Sequence, residues 1–190
     1  MDDVAGLLLL DVDGVINRLD SSTNSSTLPT VLGSSGRPLP INLIEEAVLE
    51  IIDDVARRPD IRLGWLTTWG FRVARLETVL DGRLSGGFVV AERPYGPFVP
   101  SEWKLHAAVK LFSQFPEAEF AWADDDAIPV AMRYNSVTHR LPGALLLAPA
   151  AETGLTSNDA KRIVAHFAHI VSEIGSADSD SINDRAETTP

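Results

Sequence analysis

Apolar positions follow two periods along this chain. Val4 to Val12 is a short apolar run that ends in carboxylates. A parallel strand covered on both faces has this form. Ile61 to Leu66, Gly87 to Ala91, Phe120 to Ala123 and Leu145 to Leu147 predict four further strands. Between them the period becomes helical. Ile44, Ala47, Val48, Ile51 and Val55 fall on one stripe. Asn42 is expected to cap this helix, with Glu45 completing a box-like pair, and Pro59 stops it behind Arg57 and Arg58. Phe71 to Leu80 predicts a second helix, closed by Asp81-Gly82, and Ser101 caps a third that runs to about Phe115. Thr156 with Asp159 opens the last, with Ile163, Val164, Phe167, Val171 and Ile174 on its buried face. Strands alternating with helices predict an α/β fold, a three-layer, Rossmann-like parallel five-stranded sheet with helices on both faces.

Other stretches have no period. Residues 18–40 are rich in Ser, Thr, Asn, Gly and Pro and exceed an ordinary connection, so a mobile flap is expected. Pro94, Gly96, Pro97 and Pro100 make 92–100 a stiff, irregular loop. From Ser176 the chain is small, polar and acidic. A disordered acidic tail over 176–190 is expected, leaving 1–175 as one domain.

Composition narrows the function classes. With 45% hydrophobic and 23% charged residues, the 190-residue chain has the balance of a soluble globular protein. It has no cysteine, which excludes disulfides, thiolate zinc sites and a cysteine nucleophile. The formal net charge is −11. Such a surface repels nucleic acid and anionic membranes at long range, so a phosphate-bearing ligand needs a locally positive pocket. Arg72, Arg75, Arg93 and Arg133 are candidates for a positive rim. The start, Met1-Asp2-Asp3, is unlike a secretory signal, and no run is long enough to span a membrane. A cytoplasmic protein is expected, with no membrane association and no stable partner.

In parallel sheets ligands bind at the carboxyl ends of the strands. The first strand ends in Asp11-Val12-Asp13-Gly14-Val15, the second in Thr67-Thr68 and the fourth in Asp124-Asp125-Asp126. Lys104 lies in the first turn of the helix before that fourth strand. A parallel sheet brings these groups to one edge. Two unit charges 4 Å apart repel by roughly 4 kcal/mol at an effective dielectric near 20, so clustered carboxylates need a counter-charge. A hard divalent cation with oxygen ligands supplies one, and beside a phosphate that cation is Mg²⁺. Lys104 opposes the helix dipole where it stands, and a bound phosphate would favour it. Strand alternation lets only one of Thr67 and Thr68 face the site. Asp126 is expected to cap the following helix. Trp65, Trp69, Trp103 and Trp122 flank these motifs and are read as core packing, with base stacking by Trp69 or Trp103 as the alternative. A response-regulator receiver domain clusters the same residue types, but in the order acidic pair, Asp, Thr, Lys; the order here differs.

An apolar strand followed by Asp-x-Asp-x-Val (Asp11 to Val15), then Thr67, then Lys104, then the acidic pair Asp124-Asp125, resembles the four ordered motifs of the haloacid-dehalogenase-like (HAD) superfamily of phosphohydrolases. The phrases Asp-Val-Asp-Gly-Val-Ile-Asn, Trp65-Leu66-Thr67-Thr68-Trp69, Trp103-Lys104, Trp122-Ala123-Asp124-Asp125 and Gly154-Leu155-Thr156 look like a bacterial branch of it. Some members of that branch are associated with "Swiss Army Knife" RNA-repair proteins. The resemblance implies a Mg²⁺-dependent phosphatase, and the inserts of about 25 residues after the first motif and about 30 before Lys104 leave room only for a minimal cap. Asp11 would be the nucleophile that forms an aspartyl-phosphate, and Asp13 the general acid and base. Thr67, with Thr68 beside it, and Lys104 would hold the phosphoryl group. Asp11, Asp13, Asp124 and Asp125 would hold the metal, Asp13 through its backbone carbonyl. The substrate would be a phosphorylated small molecule or a nucleic-acid end. The alternative is a non-catalytic HAD-like module that binds a phosphorylated partner.

Overall fold

The computed structural model describes residues 4–20, 28–32, 38–94, 102–133 and 137–170. Its centre is a five-stranded sheet. In spatial order the strands are β5 (Phe88–Val89), β4 (Ile61–Trp65), β1 (Gly6–Leu10), β6 (Glu119–Ala123) and β7 (Leu145–Leu147). Every neighbouring pair in it is parallel. The chain therefore starts in the middle, builds outward through β4 and β5, crosses back and builds outward again through β6 and β7. The order reverses beside β1, the switch point at which such sheets bind ligands.

β1 is buried on both faces because its leucines alternate between two cores. Leu8 and Leu10 join one cluster with Leu63, Trp65 and Ala123; Leu7 and Leu9 join the other with Phe120 and Trp122. Helices α1 (Glu46–Ala56), α2 (Val73–Val79) and α6 (Ser157–His166) cover the first face. Helices α3 (Trp103–Phe112) and α4 (Ala127–Arg133) cover the second, and a short α5 (Val137–Arg140) follows α4. The expected three-layer α/β architecture is therefore present. Thr156 opens α6 with the expected capping box, its hydroxyl accepting from the Asp159 N–H while the Asp159 carboxylate accepts from the Thr156 N–H.

Three local expectations differ from the structure. Helix α1 begins at Glu46, not at Asn42, and makes no side-chain cap bond. Asn42 is buried and committed elsewhere: its N–H donates to Asn17 Oδ1 at 2.8 Å, and its Oδ1 accepts from Arg18 Nη2 at 2.8 Å. Part of the segment expected as a flap is an antiparallel ribbon of β2 (Thr30–Leu32) and β3 (Pro38–Pro40). It is anchored by Val31, which is buried in the first core. The rest of that segment's expectation, at 21–27 and 33–37, lies outside the described residues, as do Ser101, Val171, Ile174 and the tail over 176–190. α4, expected only as a helix following Asp126, and α5 arise where the sequence shows no helical stripe. Among the described residues no helix is long and apolar enough to cross a membrane.

Candidate active site

Sheet register explains why the acids meet. Leu10 of β1 stands opposite Trp65 on one side and Ala123 on the other. The next residue along each strand is therefore Asp11, Leu66 and Asp124. Pairing continues one step past the strands: the Asp11 N–H donates to the Ala123 carbonyl, and the Asp124 N–H to the Leu147 carbonyl, each at 3.0 Å. Asp11 and Asp124 are fixed side by side by backbone geometry.

Lys104 reaches both from α3, whose Leu105 and Ala108 seat the helix on the second core. Its Nζ donates to Asp11 Oδ2 and to Asp124 Oδ2, the latter at 2.8 Å. All three side chains are buried. The remaining oxygens are also engaged. Asp11 Oδ1 accepts from the Val12 N–H at 2.6 Å. Asp124 Oδ1 accepts from the N–H groups of Asp126 and Ala127 at 3.1 and 2.6 Å. Asp124, not Asp126, thus caps α4. Because it already turns inward at the strand end, its second oxygen is free to face the exposed donors of the helix.

Asp125 completes the cluster. Asp11, Asp124 and Asp125 each bring a carboxylate oxygen within 4.8 Å of the others. Gly14 makes this approach feasible: its φ is +73°, and a Cβ there would lie 2.3 Å from the Asp125 carboxyl. Burial pushes Asp11 up to about 6, aided by Asp124 and opposed by Lys104 and the Thr67 hydroxyl. Asp125 also rises to about 6, through burial first and Asp11 second. Burial raises Asp124 against the pull of Lys104. For Lys104 burial acts downward, but the charges of Asp11 and Asp124 together carry it above its ordinary value. Three carboxylates against one ammonium leave an excess of negative charge among hard oxygen donors. That donor set fits a hard divalent cation such as Mg²⁺, with Asp11, Asp124 and Asp125 as its holders.

Thr67 is fully buried, and its hydroxyl bonds toward Asp11. Thr68 is exposed, so Thr67 is the threonine that faces the site. Asp13 stands apart from the carboxylate cluster. Its Oδ2 accepts from the Trp69 indole N–H at 2.8 Å and its Oδ1 from Asn17 Nδ2 at 2.7 Å. Neither Trp69 nor Asn17 is evident as a site residue from the sequence. The signal available was that each closes one of the motif phrases, Asn17 four residues after Asp13 and Trp69 two after Thr67. Arg72 is anchored at the rim, donating to the carbonyls of Thr68 and Trp69 at 3.0 Å each. His166 and His169 are far from this edge and both face Glu119 at the start of β6.

The sheet order, the register and the site can be set beside known structures. The HAD domain of effector protein Lem4 from Legionella pneumophila, as an inactive mutant, aligns over 90% of this chain and 98% of its own with TM-score 0.58 and 17% identity. The same domain in another structure aligns over 88% of this chain and 94% of its own with TM-score 0.53 and 16% identity. The chain has a HAD-like fold. No protein-family model and no curated protein matches it. On this HAD-like fold, Asp11, Thr67, Lys104 and Asp124 stand together at the carboxyl edge of the sheet, in the order in which the sequence motifs occur.

Proposed function

We propose that this protein is a Mg²⁺-dependent phosphohydrolase that acts on phosphomonoesters through an aspartyl-phosphate at Asp11. The observation that carries the reading is the buried contact of Asp11 with Lys104, beside Asp124 and Asp125. A carboxylate attacks a dianionic phosphoryl group only if their repulsion is cancelled. Lys104 contributes one positive charge between Asp11 and Asp124. Mg²⁺, when bound, would supply the rest of the charge neutralisation. In the first step an Asp11 oxygen bonds to phosphorus while the bond to the leaving oxygen breaks, and Asp13 gives that oxygen a proton. In the second step Asp13 takes a proton from water as the water oxygen bonds to phosphorus. The Asp11–phosphorus bond breaks and inorganic phosphate leaves. Thr67 holds a phosphoryl oxygen at the end of β4.

Asp11→Asn tests this. Asn is nearly isosteric and removes one of the crowded charges, so the fold is expected to persist. Hydrolysis of p-nitrophenyl phosphate in Mg²⁺ is expected to drop by roughly a thousandfold or more, because the nucleophile is gone. Wild-type activity is expected to vanish in excess chelator. A folded wild-type protein that hydrolyses no phosphomonoester with Mg²⁺ would identify it instead as a module that only binds phosphorylated partners.

A further inference from the structure

Asp11, Asp13, Asp124 and Asp125 at the sheet edge fall into two groups. Asp11, Asp124 and Asp125 share one cluster. The Asp13 carboxylate is held by two neutral N–H donors instead, one on each oxygen. We infer that Trp69, with Asn17, is a positioning residue that keeps Asp13 apart from the cation cluster and aimed for proton transfer. The inference rests on the phosphohydrolase reading above.

Both donors are themselves fixed. The Trp69 ring is buried in the first core, and its backbone N–H donates to Thr67 Oγ1 at 3.2 Å. The indole is thus tied to the residue that touches Asp11. Asn17 is buried, its Oδ1 accepts from the Asn42 N–H, and its carbonyl accepts from the Gly14 N–H at 2.7 Å. Neither donor can follow Asp13 if it swings away. A carboxylate offers about four lone-pair sites, and here each oxygen keeps one open for a proton. An indole donates and cannot accept, so Trp69 holds the acid without exchanging protons with it. It also brings no charge to an edge already crowded with ionised groups.

Loss of this hold matters most where the departing oxygen most needs a proton. p-Nitrophenolate leaves readily as an anion, whereas phenolate does not. Trp69→Phe keeps an aromatic ring in the core but removes the N–H together with the five-membered ring that carries it. It is expected to lower kcat/KM for phenyl phosphate roughly tenfold or more, but for p-nitrophenyl phosphate by less than about threefold. Trp122→Phe is the control. Its buried indole N–H makes no hydrogen bond among the described residues, so its loss should slow both esters by the same factor. Equal slowing of both esters by Trp69→Phe, or slowing of neither, would overturn the inference. If Trp69→Phe does not fold, indole N–H resonances decide. Asp13→Ala is expected to shift the Trp69 signal and speed its solvent exchange while those of Trp65 and Trp122 stay in place; an unmoved Trp69 signal would overturn it. A wild-type protein that hydrolyses neither ester overturns the phosphohydrolase reading, and this role with it.

Discussion

Asp11 and Asp125 are each pushed up to about 6 by their surroundings, so without a cation the folded protein keeps protons that the unfolded chain has released. Between the ordinary carboxylate range and about pH 6 the folded state binds more protons than the unfolded one, and its stability falls as pH rises through that window. His166, lowered mainly by burial, acts in the opposite sense. The clean measure is therefore the difference between wild type and Asp125→Asn. In chelator, the melting temperature of Asp125→Asn is expected to gain on wild type as pH rises from about 4.5 to about 7.5. Mg²⁺ at about pH 7.5 should raise the wild-type value and raise that of Asp125→Asn less. A difference that stays flat with pH would show that Asp125 is not held in a charge-disfavouring site. At this scale the sequence told much about identity and little about partners. Asp11, Lys104 and Asp124 are legible because their types are chemically costly to bury without a purpose. Trp69 is not, because an indole among apolar neighbours reads as packing until its N–H is seen to end on Asp13.

At the level of elements, what could be read depended on length and period. β1, β4 and β6 are short apolar runs buried on two faces, and the site follows from their register: Asp11 and Asp124 are the first residues past paired positions. The Thr156–Asp159 capping box was legible because all of it is local. The start of α1 was not, because Asn42 bonds to residues 24 and 25 positions away. α4 holds Pro129 and is capped from the strand end by Asp124, so Asp126, the start signal directly before it, names the wrong cap. The β2–β3 ribbon was missed for a related reason: two three-residue strands, one directly after Pro29 and the other Pro-Leu-Pro itself, leave no measurable alternation. Its anchor makes a definite expectation. Val31 packs into the same core as α2, so Val31→Ala should cost about 1–3 kcal/mol in denaturant unfolding. The proposed active site does not use Val31, so the proposed Mg²⁺-dependent hydrolysis of p-nitrophenyl phosphate should stay close to wild type in the folded variant. A loss of under about 0.5 kcal/mol would mean that the ribbon contributes no packing.

On the scale of the whole molecule, two charge patterns oppose each other. The formal net charge is −11, yet the proposed site must admit an anion. Locally the conflict is met by Lys104, to which the proposed cation would add, with Arg72 at the rim fixed by the carbonyls of Thr68 and Trp69. Beyond a few ångströms it is not met, and the surface repels anions in proportion to their charge. A small aryl phosphate carries a charge of about −2 and experiences this over one short approach. A 5′-phosphorylated oligonucleotide carries many charges along its length, most of them outside the reach of Lys104. Repulsion of that kind is screened over about 10 Å at 0.1 M salt, whereas the short-range contacts in the pocket are screened far less. With Mg²⁺ held constant and saturating, kcat/KM for the oligonucleotide is expected to be low in dilute buffer and to rise severalfold as monovalent salt increases from about 0.02 to about 0.2 M. The value for p-nitrophenyl phosphate should change little over the same range. The polynucleotide-end substrate, the other substrate class considered from the sequence, makes the contrary demand. A basic surface that gathers nucleic acid would lose kcat/KM as salt rises. An oligonucleotide rate that is high in dilute buffer and falls with salt would therefore point to a positive path that the net charge conceals; the rise expected here would favour small phosphomonoesters as substrates.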